Sequence, residues 1–270
     1  MSDTVVEARN LSKVFPRRLL SSGPRRIVAF EDVSIAIPRG SVYGLVGESG
    51  CGKSSLARVL VGIDRATKGS VLLEGRELWG LGSKERKTAA RRHQMVYQDP
   101  NGSLDPRHRI GTSLHEALIA AGVKRAEHKK EVARLLGLVR LDPDLAERRP
   151  HELSGGQRQR VVIARALATS PSFMALDEPV SSLDVSVQAS IIDLLMNLRS
   201  MMELTYLLIS HDLALVAAIC DRISVMKSGS IVETGKGRAV IESASHEYTR
   251  ELRDRSLVMG GNRRRIHGTA

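Results

Sequence analysis

Gly47-Glu48-Ser49-Gly50-Cys51-Gly52-Lys53-Ser54 satisfies every position of the pattern G-x-x-x-x-G-K-[ST]. It follows the short apolar run Ser41–Val46 and opens a helical pattern from Lys53 to about Val61. A buried strand, a glycine-rich loop and a helix, in that order, begin an α/β domain. The chemistry of such a loop is anion capture. Glycines let the backbone wrap closely and aim its N–H groups at phosphate oxygens, while the helix N-terminus adds partial positive charge. Lys53 can reach the β- and γ-phosphates of a nucleotide, and the Ser54 hydroxyl can ligate Mg²⁺. Cys51 occupies a free position of the pattern and is assigned no part beyond fitting the loop.

Upstream, Val5–Phe15 and Ile27–Ile37 alternate apolar with polar residues and are bridged by a polar stretch bearing Pro and Gly. This predicts antiparallel strands with an inserted loop. Downstream, a turn at Lys68-Gly69 leads to a strand at Ser70–Glu74. Between about Ile110 and Pro150 the pattern is helical, with Leu114, Leu118 and Ala121 on one face and Val132, Leu135, Leu136 and Val139 on another. A helix from Ser154 to Ala168, a strand at Phe173–Leu176, a helix at Ser186–Met202 and a strand at Thr205–Ile209 follow. Ile223–Met226 and Ile231–Glu233, separated by Ser228-Gly229, predict a late hairpin.

Composition bounds the function classes. Of 270 residues, 41 are Lys or Arg and 30 Asp or Glu, a net charge of +11, while 42% are hydrophobic, too apolar for a disordered chain. Three Phe, four Tyr and one Trp are a poor supply for stacking on single-stranded nucleic acid. Cys51 and Cys220 are too few for a disulfide scaffold, which predicts a reduced, cytosolic chain. No run approaches the roughly 18 apolar residues of a membrane span, and Met1-Ser2-Asp3-Thr4 lacks the order of a signal peptide. Any membrane role is therefore expected to be peripheral. The basic residues cluster at Arg17–Arg26, Lys84–Arg92, Lys124–Lys130 and Arg263–Arg265. Solvated helix faces and a tail account for them, as does attraction to an anionic leaflet or nucleic acid.

A second constellation lies more than 100 residues after the loop. The apolar strand Phe173–Leu176 delivers Asp177-Glu178-Pro179, the Walker B arrangement. Asp177 is placed to hold the Mg²⁺ shell and Glu178 to polarise an attacking water. A third is Leu153-Ser154-Gly155-Gly156-Gln157, where two glycines after a serine at a helix start make another anion site. One phosphate loop and a distant second anion site point to two copies meeting head to tail.

With that segment the sequence resembles the nucleotide-binding subunits of ATP-binding cassette (ABC) transporters, whose signature is LSGGQ. The resemblance spans about Val5 to Leu252. It implies ATP and Mg²⁺ as cofactors and an α/β P-loop NTPase core with an N-terminal antiparallel β region and an inserted helical subdomain. It places the ATPase domain at 1–257, the helical subdomain at about 99–165, and a flexible basic tail at 258–270. It implies that Gln98, in Tyr97-Gln98-Asp99-Pro100, touches metal and water. Asp184, in Ser182-Leu183-Asp184, matches the D-loop, and His211 the switch histidine at the γ-phosphate. Glu178, His211 and Gln98 are the expected catalytic set, with Ser54, Gln98 and Asp177 around the metal. The nucleotide would be held by Gly47 to Ser54 and Ser55, and across a dimer by Ser154, Gly155, Gly156, Gln157 and Asp184. Phe15, after Lys13-Val14, matches the adenine-stacking aromatic, a core phenylalanine being the alternative.

Gln98-Asp99-Pro100-Asn101-Gly102-Ser103-Leu104-Asp105-Pro106-Arg107 and the run Asp177–Gln188 resemble the di- and oligopeptide importer group. So does His246-Glu247-Tyr248-Thr249, with Glu247 where proline is usual. The group includes nickel, opine and glutathione importers. The implied partners are two membrane-spanning permease subunits, a second ABC ATPase subunit (identical or a paralogue) and an extracytoplasmic substrate-binding protein. The implied place is the cytoplasmic face of the membrane, and no nucleic acid partner is expected. A ribosome- or DNA-acting cassette would carry two fused cassettes or a long coiled-coil insertion. An exporter motor would lack the segment after Gln98.

Overall fold

The alternation upstream of the loop forms two 14-residue strands, β1 (Thr4–Arg17) and β2 (Arg25–Pro38), in a computed structural model that describes residues 3–17 and 25–255. In chain order there follow β3 (Val42–Val46), α1 (Lys53–Leu60), β4 (Lys68–Leu73) and β5 (Arg76–Glu77). Next come α2 (Ser83–Arg92), β6 (His93–Val96), α3 (Pro100–Ser103), α4 (Ile110–Ala121), α5 (His128–Leu138) and α6 (Gly155–Leu167). The remainder is β7 (Phe173–Asp177), α7 (Val185–Met202), β8 (Thr205–Ser210), α8 (Leu213–Ile219), β9 (Arg222–Lys227), β10 (Ser230–Lys236) and α9 (Gly237–Glu242). Residues 247–255 are also helical. The expected tail at 258–270 lies outside the described residues.

The chain forms two compact units. One comprises the described residues up to Trp79 together with those from Leu207 onward; the other is Gly80–Tyr206. In the first, β2-β1-β4-β5 is an antiparallel sheet. The β1–β2 register slips around Ala8–Lys13, where Asn10 and Asp32 take positive φ and the Asn10 amide donates to Asp32. Such bulges bend a long ribbon and raise its twist. The same unit orders β10-β9-β3-β8, with β9 parallel to β3 and antiparallel to β10. Every residue of β3 is buried, as expected of a strand covered on both faces, and its sequence accordingly reads as a continuous apolar run.

In the second unit β6 and β7 pair in parallel, and all five residues of β7 are buried. Leu114 and Leu118 of α4, Leu135 and Leu136 of α5, Ile163 of α6 and Leu194 and Leu198 of α7 are all buried. The helical periodicity read over 110–150 is thus the core-facing stripe of packed helices. Arg160 adds a polar anchor, donating to the Val139 carbonyl at 2.7 Å and the Ser190 hydroxyl at 2.8 Å. The elements without a counterpart in the sequence reading are β5, α2, β6, α3, α8, α9 and the helix at 247–255.

Candidate nucleotide site

In the first unit the buried strand β3 ends at Val46 and the loop turns at Gly47. A Cβ on Gly47 would lie 2.1 Å from the Met226 carbonyl oxygen, and one on Gly52 2.2 Å from that of Ala29. Both glycines also have positive φ. Side chains are therefore excluded where β9 and β2 crowd the loop. The Gly229 N–H donates to the Cys51 carbonyl at 3.0 Å and fixes the far side.

Lys53 is buried, at 5% exposure. Its ammonium donates to the Gly47 and Glu48 carbonyls, each at 2.8 Å, with the Cys51 Sγ at 3.7 Å. The Lys53 side chain is thus folded back onto the carbonyls of its own loop. α1 starts at Gly52 without a side-chain cap and carries no acidic residue in its first turn. Nothing on its own first turn competes with an anion there. Glu48, Ser49, Gly50 and Ser54 are exposed, Ser55 is half-buried and Cys51 is buried.

His211, in the same unit, follows β8 and is exposed. It sits in a tight turn in which Ser210 Oγ accepts the Asp212 N–H and Asp212 accepts that of Leu215, both at 3.0 Å. Phe15 lies near the open end of the β1–β2 ribbon opposite Ile27. It is half-exposed, not a core residue, and the Lys13 ammonium lies 4.7 Å from its ring centroid.

In the second unit, β7 carries Asp177 to its end at 7% exposure. Glu178 follows with φ +46, a left-handed conformation uncommon for any residue other than glycine. The β6–β7 register pairs Val96 with Leu176. Gln98 and Glu178 therefore each lie two residues past matched positions. Gln98 Nε2 donates to Glu178 Oε2 at 3.0 Å.

The signature segment starts α6 with a capping box. Ser154 Oγ accepts the Gln157 N–H at 3.2 Å, and Gln157 Oε1 accepts that of Ser154 at 2.9 Å. A Cβ on Gly156 would lie 2.6 Å from Val187 Cγ1, and one on Gly155 3.2 Å from Leu183 Cδ2. The two glycines let α6 approach the segment leading into α7. Asp184 is the exposed residue that begins α7. The Gln188 amide ties the preceding turn by donating to the Val180 and Leu183 carbonyls at 3.0 and 2.9 Å.

The family described as ABC transporter matches residues 30–181, more than half of the chain. The chain belongs to the ABC transporter family. Its relatives include a Brucella abortus (strain 2308) protein provisionally named peptide import ATP-binding protein, 45% identical over 93% of this chain and 76% of that protein. The Di/tripeptide transport ATP-binding protein DppF of Pseudomonas aeruginosa is 40% identical over 93% of this chain and 78% of its own length. The glutathione import ATP-binding protein GsiA of Pectobacterium atrosepticum is 43% identical over 97% of this chain, which spans 43% of GsiA. Among solved structures, the cassette MJ0796, a dimer in a post-hydrolysis state with ADP and Pi, has 28% identity and a TM-score of 0.73, over 86% of this chain and 99% of that one. The cbiO1 protein of Clostridium perfringens, part of the cbiONQ transporter complex, has 25% identity and a TM-score of 0.76, over 97% and 100%. This ABC protein has the cassette fold, an α/β P-loop architecture with antiparallel and parallel sheets, and is an ATPase. Among the described residues no helix is long and apolar enough to cross a membrane.

The donor types fit Mg²⁺. The Ser54 hydroxyl, Gln98 amide and Asp177 carboxylate are hard oxygen donors, and no group of three or more His, Cys, Asp or Glu among the described residues could hold a metal by itself. Mg²⁺ is ordinarily held by one or two carboxylates together with nucleotide phosphates and water.

The cassette also has a feature that the sequence reading did not place. Tyr248, buried at 3% exposure, accepts the Glu48 backbone N–H on its hydroxyl at 3.1 Å, and Arg255 pairs with the Glu48 carboxylate at 2.6 Å. Burial pushes the Tyr248 phenol up, so it is neutral at physiological pH. Burial pushes the Glu233 carboxyl up too, but hydrogen bonds from the following segment outweigh it and hold it at about 2. Those bonds include the Ser245 N–H and hydroxyl, both at 2.8 Å, and the His246 N–H at 3.2 Å. The only signal for this arrangement was the quoted run His246–Thr249.

Proposed function

We propose that this ATPase is the motor subunit of an importer for di- or oligopeptides, working at the cytoplasmic face of the membrane. It would pair with a second cassette, two permease subunits and an extracytoplasmic substrate-binding protein. In this reading the loop at 47–54 holds the nucleotide phosphates, with Lys53 supplying charge at the β- and γ-positions. Ser54, Gln98 and Asp177 hold Mg²⁺, which supplies neutralisation of phosphate charge. Glu178 accepts a proton from the attacking water, and His211 faces the γ-phosphate. Ser154, Gly155, Gly156, Gln157 and Asp184 serve the nucleotide of the opposing cassette, and Phe15 stacks on adenine. Such catalysis is mostly positioning and electrostatics.

The observation that carries the reading is the Gln98–Glu178 hydrogen bond. It joins the hydrolytic carboxylate to the first residue of the segment Gln98–Arg107, the part that resembles peptide importers. Arg107, in that segment, has 85% of its side chain exposed and pairs with Asp105 at 2.7 Å. Beside it, residues 102–107 with Ser113, Glu116 and Arg165 line a cleft of about 440 Å³. Docking of the permease there would carry cargo occupancy to Glu178 through Gln98. The names of the peptide- and glutathione-import relatives support the substrate class. The test is transport in vesicles reconstituted with the permease subunits, measured beside ATPase activity. Arg107→Glu should lower transport several-fold more than basal hydrolysis, and an equal loss of both would reject the docking role.

A further inference from the structure

The helix at 247–255 touches one residue of the phosphate loop twice. Tyr248 takes the backbone N–H of Glu48, and Arg255 takes its carboxylate. Seven residues separate the two side chains, about two helical turns, so they share a face. The Lys227 ammonium lies 4.7 Å from the Tyr248 ring centroid, and Thr249 beside it is fully buried. Glu233, on β10, secures the start of this segment through Ser245 and His246.

We infer that this C-terminal helix is a brace for the phosphate loop, and that Tyr248 is a positioning residue that sets nucleotide affinity. The inference rests on the reading of 47–54 as the nucleotide site. A loop with glycine at three of eight positions has many conformations, of which few aim its amides at one point. Gly47 and Lys53 are fixed by β9 and by burial, while Glu48, Ser49 and Gly50 between them are exposed. The phenol fixes the first of those three. Ordering of the loop is then largely complete before nucleotide arrives, and preorganised sites bind more tightly than ones ordered on binding. The exposed Arg255–Glu48 pair adds little to this. The buried phenol carries it. Coupling of this kind is reciprocal, so bound nucleotide steadies the helix in return.

The test uses the full chain with Mg-ATP and the variant Tyr248→Phe, which keeps the ring and removes the acceptor. One lost hydrogen bond should raise Kd and KM roughly three- to tenfold with kcat within about twofold. Exchange of the Glu48 amide with solvent deuterium should quicken, while amides within α1 remain protected. A merely structural tyrosine would instead lower the active fraction and leave KM unmoved, and that result, or unchanged KM and exchange, overturns the inference. Lys53→Ala is the control for the underlying reading. If it binds Mg-ATP like the wild type, the loop is not the nucleotide site, however Tyr248→Phe behaves. Should Tyr248→Phe fail to fold, the wild type alone decides. Mg-ADP should slow amide exchange over 247–252 several-fold, and unchanged exchange refutes the brace.

Discussion

The side-chain amide of Gln98 donates to the Glu178 carboxylate at 3.0 Å, although 80 residues separate them in the chain. The parallel register of β6 on β7 produces the contact, since each residue lies two beyond the matched pair Val96 and Leu176. A neutral donor on one carboxylate oxygen holds the Glu178 side chain in one orientation.

If Glu178 accepts the proton of the attacking water, Glu178→Gln removes that acceptor and retains the shape. Hydrolysis should fall by about 10²–10⁴, the usual scale for a lost general base. ATP affinity should persist, because the loop at 47–54 is untouched. Size-exclusion chromatography should then show a dimer with ATP and a monomer without it, the dimer requiring mixed chains where the native partner is a paralogue. Near-normal turnover would move attention to His211.

Gln98→Glu would set two carboxylates at hydrogen-bond distance. Like charges that close cannot both ionise easily, so one of the pair titrates at raised pH. The acid limb of the kcat profile should move up by about one pH unit or more. Gln98→Ala, which removes the side-chain amide without adding a charge, should lower kcat without moving that limb, and steady-state rates from pH 5 to 9 separate the two.

If Phe15 carries the adenine, Phe15→Ala should weaken ATP and GTP alike. Base–aromatic stacking contributes about 1–3 kcal/mol, roughly a ten- to hundredfold change in Kd. Because the ring is half-exposed, the melting temperature should barely shift. Titration calorimetry with both nucleotides is the measurement, and an unaltered Kd would remove Phe15 from the site.

Glu233 gives the C-terminal segment an acid sensitivity. Its folded carboxyl titrates at about 2, below the ordinary value of 4.5. Its contribution is therefore complete above pH 4.5 and is lost as the pH falls from there to about 2. At pH 7 Glu233→Gln should cost about 1 kcal/mol, the scale of a hydrogen bond to a charged group after allowance for exposure. Below about pH 2 the variant and wild type should converge. Hydrogen exchange across 244–255 at several pH values would show it.

Much of this was legible from residue order alone. The phosphate loop could be read because its chemistry is backbone chemistry, and the glycine spacing encodes backbone geometry directly. Strands β1 and β2 could be read because one face is buried and the alternation survives. α2 was not legible: Ser83–Arg92 buries none of its residues and so leaves no apolar period to detect. β6 has four residues, too few for a pattern. The Gln98–Glu178 bond depends on a strand register that neither segment records by itself. The capping box of Ser154 and Gln157 is written in the sequence as S-x-x-Q, overlapping the two glycines of the signature segment. Tyr248 stood in a quoted motif, yet its contact with Glu48 spans 200 residues and required the fold.

The left-handed backbone of Glu178 also bears on how this protein would change under selection. A non-glycine residue there forgoes about 1 kcal/mol or more that glycine would recover. Random variants screened for thermal robustness alone would thus be drawn toward Glu178→Gly, which relaxes the main chain and discards the carboxylate in one step. If Glu178 is the hydrolytic carboxylate, a heat-selected library of this cassette should be enriched in inert, hardier molecules at that codon, unless the screen also demands turnover.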